Sequence, residues 1–299
     1  MKNKPYSALF VSVISVSFAA IFIVSVSKEV HPLSIAFFRL FFTTLLILPL
    51  ILIRKKTRKE FLQIPRKTLL IMIGVGVILA AHFALWVTSL DYTSVASSVI
   101  LVTAHPVLVA PIAHFFFKEK LSLVNIFGIT ISLFGVVILV LGNYGLGSLT
   151  LEGNILAILG GAAAGLYIIG GRKIRKTVST GTYAFIVYLI GAVVLLFLCL
   201  LFNAQVTNLS IKDYGIIFLM AIVAGIFGHT LYNWSLNHVR ASLASVVLLG
   251  EPLGSTILAL LIPWIQQVPS SYTAVGGAII LTGIYLTSRK NRKGIHRKL

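Results

Sequence analysis

Charge is scarce in this sequence. Of 299 residues only 11% are Asp, Glu, Lys or Arg, and only seven are acidic. An ordinary soluble domain carries about 25% charged residues. The hydrophobic share is 58% and the mean hydropathy is +1.01. A single core cannot hide that much apolar side chain without turning large patches to water, so a soluble globular fold is excluded. Cysteine is nearly absent too. Cys199 stands alone in an apolar run, which excludes an intramolecular disulfide and a cysteine metal cluster. The sequence lacks a His-Glu-x-x-His zinc motif, a Gly-x-Ser-x-Gly elbow, paired intramembrane aspartates and a phosphate-binding Walker loop. No apolar run holds a lysine that could form a Schiff base. A membrane enzyme, an ATP-driven pump and a retinal-type receptor lose their support, and no cofactor is called for. Nor is there the continuous polar stripe or filter of a channel.

What is present is long apolar runs. The net charge of +18 would ordinarily suggest nucleic acid as a partner. The basic residues, however, sit in short clusters between those runs, so the partner is the lipid bilayer and not nucleic acid. A hydrocarbon core of about 30 Å needs about 20 apolar helical residues. That window predicts ten spans, at 6–27, 33–53, 68–90, 93–117, 121–141, 153–171, 180–202, 213–236, 241–263 and 271–288. The first is too long for a signal-peptide core and reads as a retained helix. With the N-terminus inside, 22 of the 25 basic residues fall on the inner side. Only Lys28 and Lys212 fall outside, and Arg39 lies within the second span. The asymmetry predicts a multi-pass plasma-membrane protein, prokaryotic in type, with both termini cytoplasmic.

The chain repeats itself. At a constant shift of 146, Ser89, Leu90 and Pro106 meet Ser235, Leu236 and Pro252, and His105 falls on Glu251. A shift of 148 pairs Gly128 with Gly276 and Gly135 with Gly283. The predicted units are 1–145 and 146–299, the second ending in a basic cytoplasmic tail. Five spans per unit is an odd number, so the second unit enters the membrane from the opposite side. Inverted repeats of this kind place a binding site near the midplane and open it to either side in turn.

The first-half stretch TSVASSVILVTAHPVLVAPIAHFFFKEKLSLVNIFGITISLFGVVIL, with Pro106, the segment Lys118-Glu119-Lys120-Leu121 and glycines Gly128 and Gly135, resembles an EamA repeat. The second-half ASLASVVLLGEPLGSTILALL is similar to the same family's Ala-Ser-Leu-Ala stretch and Glu-Pro pair. The whole chain thus resembles the EamA-type branch of the drug/metabolite transporter superfamily. It departs in one loop, where Ile265-Gln266-Gln267-Val268 stands in place of the family's usual acidic residue after the ninth helix. The resemblance implies an all-α membrane protein of ten helices in two inverted five-helix EamA-like repeats. It also implies export of metabolites or amino acids.

Ionisable groups inside a bilayer cost about 2.5–3.5 kcal/mol each on insertion scales, so each needs a reason. Glu251 lies about 15 Å from the cytoplasmic end of its helix at 1.5 Å per residue, and His105 is about as deep in the fourth helix. Each precedes a proline, Pro106 or Pro252, that can break its helix. They are candidates for substrate binding or proton coupling; the alternative is that they merely pack the kinks. Arg39, about 9 Å from the outer end of its helix, either binds a substrate carboxylate or, the favoured alternative, snorkels to the outer headgroups. His82 and Trp86 share a helix face, as do His229, Tyr232 and Asn233, and the two sets lie on corresponding helices. They offer aromatic walls and hydrogen-bonding groups for a small molecule; the aromatics could equally form an interfacial belt.

The sequence thus predicts a secondary transporter of small metabolites, amino acids among them, working by alternating access with possible proton coupling and no enzymatic activity. A non-transporting scaffold or receptor-like subunit is the alternative. A homodimer is compatible with the chain but not required by it.

Overall fold

The computed structural model describes residues 4–117, 122–142, 148–174, 177–235 and 250–288. Every regular element among them is helical. In chain order they are α1 (Lys4–Ser17), α2 (Ala19–Ser25), α3 (Pro32–Ile53), α4 (Lys55–Leu62) and α5 (Arg66–Tyr92). Then come α6 (Val95–Thr103), α7 (Pro106–Phe117), α8 (Leu123–Gly142), α9 (Ser148–Ile174) and α10 (Thr180–Leu201). α11 (Ile211–Met220) runs through a π-helical stretch (Ala221–Thr230) into α12 (Leu231–Ser235), and α13 (Gly250–Leu261) and α14 (Ser271–Ser288) complete the order.

Seven helices among the described residues are long and apolar enough to cross a membrane. A 22-residue helix such as α3 or α10 rises about 33 Å, enough for the hydrocarbon core. Three of the ten predicted spans differ from that pattern. The fourth is broken into α6 and α7, the ninth lies partly outside the described residues, and the tenth is a shorter apolar helix of 18 residues. The first is interrupted at Phe18, beside which the Ser17 carbonyl accepts a hydrogen bond from Ser255 Oγ at 2.9 Å.

Serines start the helices. Ser94, Ser122, Ser179, Ser210 and Ser270 each accept a hydrogen bond from the backbone N–H three residues on. Each satisfies a donor that a helix N-terminus leaves over. Within the spans, Thr43, Thr44 and Thr103 donate back to carbonyls four residues earlier at 2.7 Å. A hydroxyl can therefore sit in an apolar environment without a stranded proton. The outward faces carry Phe127, Phe134, Leu141, Phe197 and Leu200, all exposed, as a surface meeting lipid requires.

The packing has a two-fold pattern. α3 lies on α10 and α8 on α14, each helix pairing with its counterpart in the other repeat. α5 packs on α9, and the corresponding α1 packs on the π stretch; α7 meets α9 as α13 meets α1. The α8–α14 crossing is the tightest. A Cβ on Gly128 would lie 2.6 Å from the Gly283 carbonyl oxygen, and one on Gly135 would lie 2.8 Å from that of Gly276. The paired residue numbers run in opposite directions, so the two helices are antiparallel.

Candidate functional site

Helices that are apolar all round reveal no inward face in sequence, so the cavities must be read from the packing. The larger cavity, about 750 Å³ counting its opening, lies between the two halves. α5 contributes His82 and Trp86, and the break between α6 and α7 contributes His105 with Thr103 beside it. The other half supplies Tyr167 from α9, His229 from the π stretch, Tyr232 and Asn233 from α12, and Glu251 from α13. Seven of the predicted residues thus share one cavity. A smaller cavity, about 260 Å³ counting its opening, adjoins it through Leu79, Tyr167 and His229, and Arg39 lines this one with Thr43, Phe83 and Tyr188.

The helix interruption at Ala104–His105 arises because Pro106 lacks an N–H and starts a new helix as its first residue. The His105 carbonyl accepts from Leu108 and Val109, so the new helix begins properly bonded. α9 approaches the break through small residues: a Cβ on Gly161 would lie 2.8 Å from the Val102 carbonyl oxygen, and one on Gly165 would lie 3.6 Å from His105 Cβ. Pro252 stands in the first described turn of α13, directly after Glu251; the chain before Gly250 lies outside the described residues. On the opposite wall the hydroxyl of Thr230 donates to the Gly225 carbonyl five residues back at 2.9 Å. That bond belongs to the π geometry, a form found often at functional sites.

The His82 ring is fixed. It stacks on Trp86 at 5.9 Å with planes 10° apart, and Nδ1 lies 2.9 Å from the Gly160 carbonyl oxygen. A carbonyl can only accept, so Nδ1 carries a proton. Asn233 Nδ2 donates to the Tyr167 hydroxyl at 3.3 Å, and Tyr188 and Thr230 share a contact of 3.5 Å. His229 meets Phe83 edge-on at 6.0 Å.

Arg39 does not snorkel. It is 1% exposed, with its guanidinium 4.3 Å from the Phe83 ring centre and 5.4 Å from that of Trp86. The reason is the face of α3 it occupies, which packs on α5 and the π stretch; depth in the helix does not decide this. Trp86 is likewise no part of an interfacial belt, being 3% exposed. Tyr232 is half-buried at the cavity wall. The sequence reading missed Tyr167, Tyr188, Thr43 and Thr103. Their signal, hydroxyls inside apolar runs, was present but weaker than that of ionisable groups. Among the described residues no group of three or more His, Cys, Asp and Glu is placed to hold a metal ion.

The comparisons agree with the fold. Residues 3–141, and again 151–289, match the EamA-like transporter family. An uncharacterized transporter of Archaeoglobus fulgidus is 23% identical over 98% of this chain and all of its own length. One of Clostridium kluyveri is 25% identical, covering 69% of this chain and 67% of its own. The uncharacterized transporter YyaM of Bacillus subtilis is 25% identical, covering 75% of this chain and 74% of its own. A crystal structure at 18% identity superposes with a TM-score of 0.68 over 96% of this chain and 98% of its own.

Proposed function

The chain belongs to the EamA-like transporter family, and we propose that it is a secondary transporter that exports small metabolites, amino acids among them, by alternating access. In this reading ten helices span a prokaryotic plasma membrane, both termini are cytoplasmic, and the units 1–145 and 146–299 are inverted copies. The observation that carries it is the cavity between the halves. Corresponding helices line its opposite walls, with His105 facing the site from one unit and Glu251 from the other. The antiparallel crossing of α8 and α14 supports inversion. When two inverted units exchange conformations, the site between them closes to one side and opens to the other. The break at His105 and the π stretch supply places where helices can bend.

Glu251 is the acidic group lining this cavity, and in this reading it carries the coupling proton. The test is counterflow in proteoliposomes loaded with one unlabelled amino acid at a time, following entry of the labelled form. Transient accumulation above protein-free vesicles is expected. Flat traces for amino acids and for a wider metabolite panel, from folded protein, would overturn the reading.

A further inference from the structure

Among the described residues, four buried side-chain atoms have no hydrogen-bond partner: Nη1 and Nη2 of Arg39, Nε1 of Trp86, and Nδ2 of Asn154. The first three belong to two residues that line the adjoining cavities, 5.4 Å apart from guanidinium carbon to ring centre. All three are donors, so what is missing is an acceptor. The nearby hydroxyls do not accept from either Nη atom: Thr43 donates to the Arg39 carbonyl oxygen, and the Tyr167 hydroxyl accepts from Asn233. Glu251 bonds neither Nη atom.

A buried guanidinium cannot shed its proton and is costly to leave unpaired. Here the two aromatic rings hold its position and leave the Nη donors unoccupied. That planar fork matches the two oxygens of a carboxylate. Resting on the transport reading above, we propose that the substrate's carboxylate docks on the Arg39 guanidinium where the smaller cavity meets the larger, and that Arg39 determines specificity for it. The body of the substrate extends past Leu79, Tyr167 and His229 into the larger cavity, where its amino group faces Glu251. One fixed cation and one carboxylate are complementary to a zwitterion. A phosphate dianion exceeds the single cation, and a neutral or cationic solute leaves the guanidinium unpaired.

The test is competition for counterflow by three probes that share a side chain: the amino acid, its methyl ester and its decarboxylated amine. For the wild type the acid should compete about 10- to 100-fold better than the ester or amine, the range expected for charge-assisted hydrogen bonds. Arg39→Gln should erase the preference and Arg39→Lys, which keeps the charge without the fork, should retain part of it. Without ligand, Arg39→Gln should melt no lower than the wild type, since a buried unpaired charge has been removed. A lower melting temperature with the preference intact would make Arg39 structural and overturn the proposal. So would an ester that competes as well as the acid, a comparison needing only the wild type. Counterflow confined to solutes without a carboxylate overturns the proposal and leaves transport standing; no counterflow by any solute removes the transport reading and this proposal with it.

Discussion

Gly128→Ala should loosen the contact between the two halves. The added Cβ would lie 2.6 Å from both the Gly283 oxygen and the Thr287 nitrogen, where 3.4 Å begins ordinary contact. The obstructing atoms are backbone, so no rotamer change relieves them, and α8 and α14 must part by roughly 0.8 Å. A gap of that size forfeits about a quarter to a half of the dispersion energy of each contact it opens. Overpacking of this kind costs about 1–3 kcal/mol. At about 2–4 °C per kcal/mol, the scale for chains of 150–250 residues, the melting temperature should fall by roughly 2–12 °C. The assay is thermal unfolding of purified protein in lipid nanodiscs, followed by intrinsic fluorescence. Gly74→Ala is the control, since nothing lies within 4 Å of its added Cβ and alanine is the better helix former. Gly283 faces the Gly128 oxygen in return, so Gly128→Ala with Gly283→Ala should cost less than the sum of the two singles. If Gly128→Ala melts with the wild type and the control, the close crossing is refuted.

Three further outcomes are expected. Glu251→Gln should weaken counterflow, since the substrate's amino group loses its countercharge, and the counterflow that remains should lose acceleration by an imposed pH gradient; an unchanged gradient response in proteoliposomes removes Glu251 from coupling. Asp213 accepts from Ser27 N at 2.9 Å and from the Ser210 hydroxyl at 2.7 Å, tying α11 to the end of α2. Asp213→Ala should therefore cost about 1–2 kcal/mol, read as a lower melting temperature, and an unchanged one would dismiss that tie. Topology can be read in a Cys199→Ala background, since Cys199 is the one cysteine. There an impermeant maleimide should label Asn208→Cys on intact cells and Thr57→Cys only after permeabilisation, and the reverse pattern would invert the proposed orientation.

Hydropathy locates a membrane helix but does not say which way it faces. The runs forming α3, α5 and α10 are apolar on every side, so the inward stripe that marks a soluble helix is missing. Polar exceptions inside the apolar runs were therefore the legible part of the site, and His82, Trp86, His105, His229, Tyr232, Asn233 and Glu251 all line one cavity. Arg39 was legible as an exception but not in its direction, because snorkelling and burial begin from the same depth and only the contact of α3 with α5 separates them. Pro106 marked the break in the fourth span. The π stretch left no comparable mark, since Gly225 and Thr230 are common inside ordinary helices.

Sequence alignment matches Gly128 with Gly276 and Gly135 with Gly283, yet the contacts join Gly128 to Gly283 and Gly135 to Gly276. Two parallel copies side by side would bring aligned glycines to the same level. A two-fold axis that exchanges the copies instead carries the contact 128–283 onto 276–135, which is the other contact observed. In a two-fold interface residue i meets j while j meets i. Five spans per unit, the number that hydropathy predicts, would place that axis in the membrane plane, which is the inversion proposed above.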